Sequence, residues 1–441
     1  MLNTIQQPML ATINKRIHSV AYPIHYTVLS DNYATSGFRY KFSINTKDGV
    51  LAVSNNAPSY INGIGIFSPN SLLKNEVEYK FQPDILAITN VPNAAIQYRI
   101  DVSEVGTASP LSTNFFKVWG LRNANENFDY TDYVLNNSNG KLLTNQVHTQ
   151  KVSFNDRGSI RALSGTLVNV AYPEYISDVY QYHLIKTNTN GAKYYYKSTV
   201  NPYYTNTNTT GLSNQNAILV SLDDYVVDIP AYPYNVDNMG WTYYARELSP
   251  GDYEEFVTPV VISNILNTST ASYSICTLDS EGNPSSKYYN FEIISECNYP
   301  AVQLAWENKD GGTDYFTITK HKTKTTSSTK STYIKDKYQQ GQMAGTYYNN
   351  YNYIGYNDLS KGESVYGGKV NENWQLYTDW LSQDEIEYLE WLFHSPNVFM
   401  RIEDKWYPVT ILNDKTLVET DRRGLKNFSI ELRMANTQNI M

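Results

Sequence analysis

Six histidines and two cysteines are the side chains here best equipped for acid–base, nucleophilic or metal chemistry, and their spacing suits none of it. His18, His25, His148, His183, His321 and His394 each stand alone, in no pattern that zinc or a catalytic dyad requires. Cys276 and Cys297 read as two unpaired thiols in a reducing compartment. Paired carboxylates occur at Asp223-Asp224 and Glu254-Glu255, but sugar hydrolysis needs two acids facing each other across a cleft, not neighbours in the chain. Around Asn308, Asp310 and Asp314, oxygen ligands fall at alternate positions, which loosely suits calcium. The distal Glu of a calcium loop is missing, and a tight hairpin turn explains Gly311-Gly312 without an ion. No nucleophile elbow, phosphate-binding loop or dinucleotide fingerprint is present. The expectation is a protein that is not an enzyme, with no catalytic residue, no cofactor and no metal.

What the chain has in excess is tyrosine, 40 of 441 residues. A phenol side chain offers a large apolar ring, a polar tip and few rotors, so it serves strands and contact surfaces. The runs Tyr194-Tyr195-Tyr196, Tyr203-Tyr204, and Tyr347, Tyr348, Tyr351, Tyr353 and Tyr356 are expected at subunit interfaces; sugar stacking is the other use of such aromatics. A second cluster is basic: Lys320, Lys322, Lys324, Lys330, Lys335 and Lys337, interrupted by Thr and Ser. The plain reading is a solvated two-stranded ribbon or a loop. The functional reading is a basic finger facing DNA in a channel or an acidic neighbouring subunit.

The elements that must position these residues are mostly strands. Hydrophobic content of 41% supports real cores, and 18% charged residues argue against a disordered chain. A net charge of −8 disfavours nucleic acid as the principal partner. The N-terminus lacks the apolar core of a secretory signal, and no stretch is apolar enough to span a membrane. Ile24, Tyr26 and Val28 alternate, then Phe38, Tyr40, Phe42 and Ile44, so the two runs predict a β-hairpin; Val77–Phe81 and Ile96–Val102 continue the period of two. The expected fold is mainly β. A polar arm covers 1–20, an immunoglobulin-like β-sandwich 21–118, and a β-rich middle domain with long loops 119–300. The long polar connections Asn201–Asn216 and Pro230–Trp241 are where inter-subunit contacts are expected. A small α+β domain, 301–441, follows. It opens on a hairpin, Val302–Trp306 with Thr313–Ile318. One helix begins at Ser382 and carries the apolar stripe Ile386, Leu389, Leu392 and Phe393, and strands follow near 398–403, 406–412 and 425–434.

Several of these patterns resemble virion proteins of tailed bacteriophages that infect gut Bacteroidetes, the crAss-like phages among them. The residues that carry the resemblance are Leu304, Trp306, Asn308, Gly311-Gly312 and Asp314-Tyr315-Phe316, then Thr378, Trp380-Leu381-Ser382, Glu385, Leu389, Leu392, Ser395-Pro396 and Val398. Tyr407-Pro408-Val409, Ile411, Phe428-Ser429-Ile430-Glu431-Leu432 and Ala435-Asn436 continue it, and Ile24, Tyr26 and Phe38-Arg39-Tyr40 resemble the opening β-domain of such proteins. The likeness covers both ends and leaves about 120–300 unassigned. It implies a tail or portal-proximal connector protein in the virion, assembled in the host cytoplasm. That protein would form a homo-oligomeric ring with copies of itself and with other tail, portal or ring proteins, around the path of DNA ejection. A tail fibre or receptor-binding protein recognising host glycan is the alternative; a polysaccharide hydrolase is weaker still.

Overall fold

Alternating apolar residues give this chain its strands, and the strands give it its layers. The computed structural model describes residues 2–6, 17–21, 25–46, 48–106, 111–112, 118–121, 142–147, 149–163, 180–202, 226–279, 281–294, 299–334, 338–341, 353–356, 363–413, 427, 429–435 and 438–440. They are mainly β, with several multi-stranded sheets and three short helices among the described residues. The chain divides into two compact units, one of residues 1–297, 303–317 and 384–396, the other of 298–302, 318–383 and 397–441. The hairpin and the helix expected in a 301–441 domain therefore group with the residues before 298.

In the first unit, Leu2–Gln6, Tyr26–Ser30 and Gly65–Phe67 form one sheet. Tyr40–Thr46 pairs with Gly49–Asn56 and with Ala95–Glu104 in another. The expected hairpin of the first two alternating runs is thus corrected: they lie in different sheets and meet through side chains. Tyr26, Val28, Tyr40, Phe42, Ile44, Phe67, Tyr98, Ile100 and Val102 share one core. Within it the Tyr26 and Tyr98 hydroxyls lie 3.0 Å apart, and Phe42 stacks on Phe67 at 5.1 Å. A Cβ on Gly65 would come within 2.4 Å of the Tyr40 ring, so only glycine lets that strand close over the core. Val77–Phe81 forms no strand. Val77 is buried there, and the Tyr79 hydroxyl lies 2.9 Å from Thr313 Oγ1. The expected N-terminal arm is also corrected where it is described, because Leu2–Gln6 and Ile17–Ser19 add strands to the chain's own sheets.

The middle region carries a seven-stranded sheet in the order Thr149–Val152, Tyr289–Ile293, Thr270–Leu278, Gln181–Asn188, Lys193–Lys197, Trp241–Ser249 and Asp252–Ile262. Ser159–Leu163, Val226–Pro230 and Thr89–Asn90 form a smaller sheet. Pro230–Trp241, expected as a contact loop, instead holds the helix Pro233–Asn238. Its Asn235 is fully buried and donates to the Pro83 and Ile85 carbonyls at 2.7 and 2.8 Å. Tyr232, at its start, is buried as well. The segment is committed to the chain's own core, and most of Asn201–Asn216 lies outside the described residues.

The hairpin Val302–Glu307 and Thr313–Ile318 forms as expected, and so does the helix Gln383–His394. Tyr388 ties the two together: its hydroxyl donates to the Tyr315 carbonyl at 2.9 Å, and its ring meets Trp306 at 5.2 Å. At the turn Gly311 has φ +85°, whereas Gly312 is needed for a different reason, since a Cβ there would strike the Leu143 carbonyl. In the second unit the sheet runs Val398–Ile402, Lys405–Ile411, Ser429–Met434, Glu363–Tyr377 and Lys322–Ile334. Trp374, Leu376, Val398, Met400, Val409, Ile430 and Leu432 are among its buried side chains.

Candidate interaction ribbon

Three lysines of the cluster, Lys322, Lys324 and Lys330, lie on a long antiparallel ribbon. Lys322–Ile334, a 13-residue strand rich in Thr and Ser, pairs residue by residue with Glu363–Tyr377. At a rise of about 3.3 Å per residue the strand is about 40 Å long. Tyr338–Gly341 pairs with Tyr353–Tyr356 in a further antiparallel ladder.

The register sorts the side chains by face. Lys322, Lys324, Thr326, Ser328 and Lys330 share one side with their direct partners Leu376, Trp374, Glu372, Val370 and Gly368. The opposite side carries Thr323, Thr325, Ser327 and Thr329 against Gln375, Asn373, Asn371 and Lys369. Every lysine of the first strand therefore falls on one face, while the other is almost neutral.

Packing stops partway along. Trp374 and Leu376 anchor the base in the sheet, where Ser429–Met434 is the third strand, and Gln438–Ile440 supports Gly368–Val370. Beyond that point the ribbon has two strands among the described residues. There Ile334 is 91% exposed and Tyr366 66%, so neither face builds a core. A two-stranded ribbon is at best marginally stable by itself in water.

Its electrostatics divide along the strand. Lys320 Nζ lies 3.3 Å from Asp379 Oδ2, and Lys324 Nζ lies 2.7 Å from Glu372 Oε1 and 5.3 Å from the Trp374 ring centre. These side chains are about half exposed, so each pair adds at most about 1 kcal/mol. Lys322 and Lys330 have no ion-pair partner among the described residues. Lys335 and Lys337 lie outside them.

The tyrosines part company. Tyr195 and Tyr196 are buried: Tyr195 packs edge-on against Tyr253 at 5.2 Å, and Tyr196 lies tilted against Tyr243 at 5.4 Å. Tyr194 is half-buried, beneath Lys186 Nζ at 5.6 Å. Expected as one contact surface, this triplet thus spends two of its three rings inside the monomer, because a central strand sends successive side chains to two covered faces. Tyr203, Tyr204, Tyr347, Tyr348 and Tyr351 lie outside the described residues, and Tyr353 and Tyr356 are described only as strand backbone.

Three arrangements escape sequence reading because their members are far apart in the chain. Cys276 Sγ sits 3.9 Å from His183 Nδ1, and the other ring nitrogen lies 2.6 Å from the Tyr244 hydroxyl. Burial pushes the Cys276 thiol up to about 12 and the His183 imidazole down to about 4, so both are neutral near pH 7 and no thiolate forms. Arg161 and Asp228, directly paired across two strands, make a buried ion pair with Nε–Oδ1 at 2.8 Å. Asp314 is the third. Thr144 Oγ1 donates to it at 2.6 Å, while the Asn308 side chain accepts from the Gly312 and Asp310 amides and donates to the Leu143 carbonyl, holding the turn. No group of three His, Cys, Asp or Glu side chains fit to hold a metal occurs among the described residues.

Burial raises the Asp314 carboxyl from 3.8 to about 7, against the hydrogen bonds from Thr144, Asn308 and the Asn145 amide. The folded chain thus keeps a proton that the unfolded chain gives up near pH 4. Folding is favoured by this group at low pH, and the preference is lost as pH rises from about 4 to about 7. Asp314→Asn is expected to flatten that part of the stability curve. The variant gains on the order of a few kcal/mol relative to the parent between those limits, read by urea unfolding at successive pH values.

Among the described residues no helix is long and apolar enough to cross a membrane. No family model matches the chain, and no curated protein matches it.

Proposed function

We propose that this chain is a structural component of a bacteriophage virion. In this reading it forms a homo-oligomeric ring in the tail or portal-proximal connector, around the path by which DNA leaves. The observation that carries the assembly part is the ribbon, some 40 Å of strand whose outer end, Ser331–Ile334, pairs with Glu363–Gly367 and meets no third strand among the described residues. Such an element is stable and useful when a second surface covers it, and ring symmetry repeats one modest contact at every seam. The virion part rests on the residue patterns at both ends of the chain, from Leu304 to Glu385 above all. Burial of Tyr195 and Tyr196 removes two of the rings that a glycan platform would use, which favours assembly over receptor binding.

The test is the mass of the purified full-length chain at increasing concentration, by light scattering or native mass spectrometry. The reading predicts a discrete species of many copies. A chain that remains monomeric, and binds no other virion component, contradicts it.

A further inference from the structure

The ribbon needs a seat, and the surface of the first unit offers one of opposite charge. One face of the helix Gln383–His394 lines a groove of about 730 Å³, with Asp384, Glu387 and Glu390 set against Lys309 and His394. These three carboxylates recur every three residues, so they stand on one side of the helix. The groove also has an apolar wall. Tyr388 is buried there, and Trp391 is held by its Nε1 donating to the Glu307 carbonyl at 3.0 Å. A groove of this size takes lysine side chains but not a two-stranded backbone.

We infer that the lysine face of the ribbon of one copy docks across this acidic groove of the next copy. Lysine heads reach the carboxylates, and their alkyl stems lie along Trp391. The inference rests on the ring reading above and names the contact that would make the ring. The ribbon supplies a one-sided row of cations, of which Lys322 and Lys330 lack an ion-pair partner among the described residues. The groove supplies an excess of anions beside an aromatic surface, the environment a lysine stem and head favour together. Because ribbon and groove are different surfaces, the contact is head-to-tail, the kind that closes into a ring when the rotation permits.

A simpler role for the lysines is to guard an open strand edge against stray pairing, since Lys322–Ile334 is the last strand of its sheet among the described residues. The two roles differ in one respect: a guard charge works with either sign, whereas a docking charge does not. The experiment uses two full-length variants, Lys322→Glu with Lys330→Glu on the ribbon, and Asp384→Lys with Glu390→Lys in the groove. Sedimentation velocity is run on each alone and on an equimolar mixture. Each variant alone is expected to lose the assembled species, with association weakened at least tenfold. The mixture is expected to regain it, because each reversed ribbon then meets a reversed groove and each native ribbon a native one. Assembly of either variant alone at the parental level overturns the inference and leaves edge guarding, with the ring reading intact. Failure of the mixture to recover also overturns it, placing the ribbon's partner elsewhere or within one chain. A parent chain that never assembles overturns the inference and the ring reading together.

Discussion

Asp228→Ala is expected to cost the first unit about 3–5 kcal/mol of stability, the largest single-residue effect foreseen in this chain. Arg161 is 2% exposed and reaches Asp228 through both Nε and Nη2, at 2.8 and 3.0 Å. Nη1 donates to the Gly311 carbonyl at 3.0 Å and Nη2 to the Lys80 carbonyl at 2.7 Å. One guanidinium therefore binds the strand Val226–Pro230, the extended segment after Val77 and the turn of the 302–318 hairpin. Truncating the carboxylate leaves a cation buried with neutral oxygens only. The cost comes from that unpaired charge and not from the worth of the pair, so Arg161→Met with Asp228→Leu is expected to recover most of the loss. Urea unfolding of the two variants checks this. A double variant as unstable as Asp228→Ala would show that the geometry of the network, not the stranded charge, carries the effect.

The second large effect concerns assembly and not folding. Replacing residues 331–367 with an Asn-Gly turn joins Lys330 to Gly368, which already face each other across the ladder. The shortened chain keeps Trp374 and Leu376 in their sheet and keeps the support of Gln438–Ile440 on Gly368–Val370. Its unfolding free energy is expected to stay within about 0.5 kcal/mol of the parent, since the excised residues whose burial is described, 331–334 and 363–367, are exposed or half-buried. Its oligomer is expected to weaken, since the contacts of the outer ribbon are lost while Lys322 and Lys330 stay in place to dock. Survival of the oligomer at parental strength would show that other surfaces hold the copies together.

Local pattern was legible where a strand or helix follows one face consistently. Ile96, Tyr98, Ile100 and Val102 lie in Ala95–Glu104, and Ile386, Leu389 and Leu392 mark the buried stripe of Gln383–His394. Pairing was less legible, because alternation names a face and not a neighbour. The runs at Tyr26 and Tyr40 have the same period but occupy two sheets. The return strand Glu363–Tyr377 escaped because Gly367-Gly368 and Asn371 break its alternation, and only its partner strand supplies the register. Pro230–Trp241 looked like a polar loop, since nothing in its composition says that Asn235 will be buried with both its donors satisfied. For the candidate site, the lysines were legible as a cluster, on either a two-stranded ribbon or a loop. Their confinement to one face depends on the register, and the groove depends on long-range folding that brings Asn145 and Lys309 beside the helix.

Electron micrographs of the purified full-length chain, averaged without imposed symmetry, test the central claim most directly. The account predicts closed rings of one rotational order around an open lumen, with a ribbon crossing every seam. Isolated monomers, or small trimers with no lumen, would contradict it.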